Sequence, residues 1–111
     1  MTSLSGHYDP IQVRWRGEVV GTLSEGVPDM WYVDGVWTPA DTPLASQFAA
    51  KAKVLDPKVV WRDSTKGIRI ELGEGGVLGD ALAVSLANGR LLVRRVIAEA
   101  AVAWLRANVP E

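Results

Sequence analysis

The chain has 111 residues, enough for one domain and too few for two. Nearly half are hydrophobic, so a core can form without disulfides, and the absence of cysteine removes disulfides, thiolate metal sites and cysteine nucleophiles together. Twelve Lys and Arg against thirteen Asp and Glu leave a net charge of −1, with no global field to draw in nucleic acid or an anionic membrane.

Residues 1–10 carry few apolar side chains and read as an extended N-terminal arm, with residues 11–111 as a single α+β domain. The arm lacks a basic start followed by an apolar stretch, so it does not read as a secretory signal. No run reaches the ~18 apolar residues of a membrane span. Asp80, Arg90, Arg94, Arg95 and Glu99 interrupt the longest candidates. The expectation is a cytoplasmic protein. Arginine outnumbers lysine eight to four and alanine, valine and glycine are abundant, which suggests a bacterial genome rich in G and C.

Ile11, Val13 and Trp15 alternate with Gln12, Arg14 and Arg16, the period of a half-buried strand. Gly17 permits a turn, and Val19-Val20 begins the return of a hairpin over residues 11–22. A second hairpin is expected at residues 30–38. Asp34-Gly35 is a preferred pair for a type I′ turn, which would set Val33 opposite Val36 and Tyr32 opposite Trp37.

A helix follows, with Thr42 as N-cap and Pro43 at the first helical position. Leu44, Phe48, Ala52 and Leu55 share one face of it, and Asp56-Pro57 ends it. Val59-Val60-Trp61 reads as a strand and Asp63–Gly67 as a loop. Ile68, Ile70 and Leu72 alternate with Arg69 and Glu71 in an amphipathic strand. Gly73-Glu74-Gly75-Gly76 reads as a connector.

Residues 81–87 and 90–96 around Asn88-Gly89 fit a type I′ hairpin, with Leu86 facing Leu91 and Val84 facing Val93. A helix from Asp80 stopping at Gly89, followed by a second helix, is the competing reading. A last helix spans about 97–107, docking through Ala101, Trp104 and Leu105. Hairpins and helices in this order predict a two-layer α+β sandwich, a mainly antiparallel sheet with two helices packed on one face.

The usual catalytic constellations are missing. His7 is the only histidine, with Asp9 as its one near neighbour, so no metal ligand set and no base for a serine nucleophile is visible. Asp29, Asp34, Asp41 and Asp63 each have an ordinary place in a turn or cap. The glycines of residues 73–79 miss the dinucleotide-binding spacing, because Leu78 stands at its third glycine. Arg14, Arg16, Arg90, Arg94 and Arg95 near tryptophans could suit single-stranded nucleic acid, yet alternation already explains four of them as solvated strand faces. No cofactor is expected.

Five tryptophans remain. Trp15, Trp61 and Trp104 fall at core positions. The hairpin over residues 29–38 is apolar on both faces, Trp31, Val33 and Val36 on one and Met30, Tyr32 and Trp37 on the other. An exposed set of this composition makes an interface anchor. The expectation is a small non-catalytic protein that binds a protein partner, or itself, through Met30, Trp31, Tyr32 and Trp37, flanked by Asp29 and Asp34. The alternative is a binder or hydrolase of a small polar ligand such as a sugar, using the same tryptophans and aspartates.

Overall fold

A computed structural model describes residues 10–111. The arm expected over residues 1–10, with His7, lies outside the described residues except for Pro10. Alternation builds β1 (Ile11–Trp15), β2 (Glu18–Asp29) and β3 (Tyr32–Pro39). Helices α1 (Pro43–Lys53) and α2 (Pro57–Arg62) follow, then a 3₁₀ turn at Ser64–Lys66. The chain continues through β4 (Ile68–Glu74), β5 (Val77–Ala87) and β6 (Arg90–Val96) to α3 (Glu99–Asn108).

The expected open sandwich is corrected here. The strands form a closed antiparallel barrel in the order β1-β2-β3-β6-β5-β4. Closure comes from a long-range seam, with Gln12 opposite Gly73, Val13 opposite Leu72 and Arg14 opposite Glu71. Three register shifts let the sheet curl: at Val13/Arg14, between Ser24 and Val27, and between Ala83 and Ser85. Each bulge bends its strand and increases the local twist, which closing a barrel of only six strands requires.

The hairpin expected at Asp34-Gly35 is also corrected. β3 runs straight through this pair, with Asp34 opposite Leu92 and Gly35 opposite Leu91. The turn falls at Met30-Trp31, after Asp29 pairs with Tyr32. Gly35 is used for close approach. A Cβ there would sit 3.0 Å from the Ser24 carbonyl oxygen and 3.4 Å from Leu23, where the β2 bulge at Glu25-Gly26 crosses it. The faces therefore differ from expectation: Val33, Gly35 and Trp37 point inward, while Tyr32, Asp34 and Val36 point outward.

Val59-Val60-Trp61 is helical rather than a strand. Asp56 caps the helix by accepting from the Lys58 N–H, and Pro57 occupies its first turn. These start signals override the β preference of two valines and a tryptophan. The last third forms a hairpin, with Asn88 and Gly89 at φ 55° and 72° as a type I′ turn needs. Leu86 does face Leu91, but the bulge sets Ala83, not Val84, opposite Val93.

Two cores result. The barrel interior holds Val13, Trp15, Leu23, Val33, Ile70, Leu91 and Val93, and α1 closes one mouth by adding Ala45, Phe48 and Ala52. Phe48 meets Trp15 and Trp37 at centroid separations of 5.7 and 5.5 Å. The second core lies outside the barrel. There Leu82, Val84 and Leu92 meet Val60 of α2 and Leu105 and Val109 of the α3 segment. Alternation carries Val84 to the same outer face as Leu82, and the bulge between Ala83 and Ser85 then returns Leu86 to the interior. Among the described residues no helix is long and apolar enough to cross a membrane.

Candidate functional site

The outer core is incomplete. Of α3 itself only Leu105 is buried. Ala98 and Ala101 face the barrel where larger side chains would fill the gap, leaving an apolar cleft of about 500 Å³ between α3, the end of β6 and the β2–β3 turn. Leu82 and Leu105 are in its lining, as are Trp31, Ile97 and Trp104. These last three are 51%, 67% and 49% exposed. Trp61 and Tyr32 extend the aromatic surface, in edge-to-face contact at 6.2 Å.

Secondary structure explains each placement. β3 is paired to β6 as far as Trp31, whose carbonyl accepts from the Arg95 N–H at 2.6 Å. That bond fixes the turn beside the end of β6. Ile97 leaves β6 where the chain turns into α3, so it has no strand on which to pack. Trp104 lies one residue before Leu105 and is carried to the cleft rim when Leu105 docks.

The polar groups near the cleft are two arginines. Arg95 forms a bidentate ion pair with Glu74 across the open mouth of the barrel, one of its two bonds measuring 2.9 Å. The hydrogen bonds from Arg95 hold the Glu74 carboxyl below the usual glutamate range. Arg94 has no carboxylate partner among the described residues, and its guanidinium lies 6.0 Å from the centre of the Tyr32 ring. Ser64 supplies the only other polar side chain of the lining. Among the described residues no group of three or more His, Asp or Glu side chains gathers to hold a metal ion.

The residues singled out by sequence are thus dispersed. Met30 and Trp31 form the exposed β2–β3 turn, Met30 being 83% exposed. Tyr32 lies beside them on the outer face. Asp29 is exposed near the same tip but does not line the cleft. Asp34 accepts from the Arg90 side chain at 3.1 Å along the barrel wall. Trp37 is turned inward against Phe48 at the opposite end of the barrel, packed on the interior core. Trp61 and Trp104, assigned to the core by spacing, are half exposed. Sequence alone does not mark Ile97, Trp104 and Arg94 as cleft residues. The available signal is the small residues Ala98 and Ala101, before and within a helix expected to dock closely. No family model, curated protein or solved structure matches this chain.

Proposed function

We propose that this protein is a non-catalytic binding module that takes a segment of a partner protein into the cleft between α3, the end of β6 and the β2–β3 turn. One observation carries this reading. Trp31 of the β2–β3 turn converges with Ile97 and Trp104 of the distant β6–α3 segment on one apolar hollow, each of the three about half exposed or more. Large exposed apolar surface of this kind marks interaction sites, and tryptophan, tyrosine and arginine dominate their energetics. Among the described residues the lining holds no histidine and no carboxylate, the usual agents of general acid–base chemistry. Met30 and Tyr32 belong to the same surface, whereas Trp37 does not. The sugar-binding alternative draws no support from the geometry, because Asp29 and Asp34 lie outside the cleft.

Site-specific photo-crosslinking in the host cell tests this reading. A photoreactive residue at Met30 or Ile97 is expected to trap one recurring protein, and Trp104→Ala should abolish the adduct. A probe at Val54, equally exposed at the end of α1, should trap nothing in common with it. The same adducts from all three positions would refute the proposal.

A further inference from the structure

The charge balance of the cleft says what the partner segment must carry. Its lining includes Arg94 and Arg95 and, among the described residues, no Asp or Glu. Glu74 neutralises Arg95, leaving Arg94 as a net positive charge at the border of an otherwise apolar hollow. The Arg94 backbone is paired with Tyr32 in the barrel wall, and its exposed guanidinium lies 6.0 Å from the centre of the Tyr32 ring. An arginine without a carboxylate partner, set beside apolar walls, suits a carboxylate, which its planar fork can take in a bidentate pair.

Resting on the reading above, we propose that the occupant is an acidic-apolar segment of a partner protein. A large aromatic or aliphatic side chain fills the space between Trp31 and Trp104, and an aspartate or glutamate close to it in sequence pairs with Arg94. An anionic membrane fits less well. The hairpin tip that bears Val27 and Met30 also bears Glu25 and Asp29, which repel acidic headgroups.

The test is selection from a phage-displayed library of random peptides on the immobilised full chain. Wild type should enrich peptides with Asp or Glu near a large apolar residue. Arg94→Glu should reverse the preference to Lys or Arg. A peptide selected on wild type should bind Arg94→Gln about fivefold more weakly, with a shallower salt dependence. It should bind Trp104→Ala, or Ile97→Glu where that variant folds better, about thirtyfold more weakly. Enrichment without acidic bias, or an acidic bias unchanged on Arg94→Glu, overturns this inference and leaves the cleft reading standing. Failure to select any peptide that depends on Trp104 overturns the cleft reading itself. So would Trp31-dependent sedimentation with phosphatidylglycerol vesicles, or a dimer in sedimentation equilibrium that Trp104→Ala dissolves.

Discussion

Gly35 and Met30 show how a single backbone position can mislead or inform. Next to aspartate, Gly35 imitates a tight turn, but it lies in extended backbone and is needed because the Ser24 carbonyl crosses 3.0 Å from where its Cβ would be. Gly35→Val and Gly35→Asn are therefore both expected to lower stability by about 1–3 kcal/mol, the usual cost of overpacking, in a urea titration. In a positive-φ turn asparagine would have been tolerated. Met30, by contrast, does hold a positive φ of 57° while its side chain is 83% exposed. Met30→Gly relieves that strain without loss of packing and should stabilise the fold by about 0.5–1 kcal/mol, offset by the greater freedom of glycine in the unfolded chain. A methionine kept where glycine is more stable sits well with a contact role beside Trp31. The tryptophans divide in the same way. Trp37→Ala, which empties a site against Phe48, should cost about 3–5 kcal/mol. Trp61→Ala, on a 56% exposed side chain, should cost about 1 kcal/mol. Chemical denaturation of the two variants orders them directly.

Among the elements, β4 and β6 are not neighbours in the barrel, yet Glu74 and Arg95 join them across the end of β5. The Glu74 carboxyl is held below its ordinary range chiefly by its hydrogen bonds from Arg95. A depressed carboxyl pKa stabilises the fold at pH above the unfolded-state value, and this contribution is lost as pH falls through the folded-state value. Both side chains are partly exposed, so screening keeps the effect small. Glu74→Gln is expected to melt slightly below wild type at neutral pH, with the difference closing as acidification carries Glu74 through its lowered folded-state value. A gap that persists in acid would show that the pair does not act through charge. Elements also differ in how much of them the sequence displays. The pairing of β1 with β2 and of β5 with β6 was legible because alternation meets Arg16-Gly17 and Asn88-Gly89, whose φ values are all positive. The α1 helix was legible from Thr42, Pro43 and the Phe48 face. The β2–β3 turn was not, because Asp34-Gly35 offers a better local signal than Met30-Trp31. Closure through Gln12 and Gly73 joins residues too far apart to leave any local trace. The cleft was half legible. Met30, Trp31 and Tyr32 stood out as an exposed aromatic run, but its other wall depends on how the alanines of α3 meet a barrel that periodicity alone does not reveal.

At the scale of the whole molecule, the two cores are unequal, and this bears on how the cleft works. The interior core is sealed by six strands and α1, whereas α3 is attached by little. Leu105 and Val109 are the buried side chains of its segment. Arg106 bonds Asp80 at 2.9 Å, and Arg69 holds the Val109 and Pro110 carbonyls at 3.0 and 2.9 Å. The ion pair is exposed and contributes little. Local opening of α3 uncovers far less apolar surface than opening the barrel, so it should occur at a much lower free energy. Native-state hydrogen exchange is expected to show α3 amides exchanging well ahead of those of Leu91 and Val93, whose strand lies between two others. Leu105→Ala should remove about 2–4 kcal/mol from the anchor of the helix, enough to erase α3 protection while barrel protection survives. Exchange of α3 and β6 at one common rate would show instead that the two cores open as a unit. The same experiment reaches function. A segment seated between Trp31 and Trp104 bridges the β2–β3 turn to α3, and so binds the closed helix in preference to the open one. A bound peptide selected as above should therefore slow α3 exchange by the factor 1 + [L]/Kd, leaving barrel amides unchanged wherever they exchange without α3.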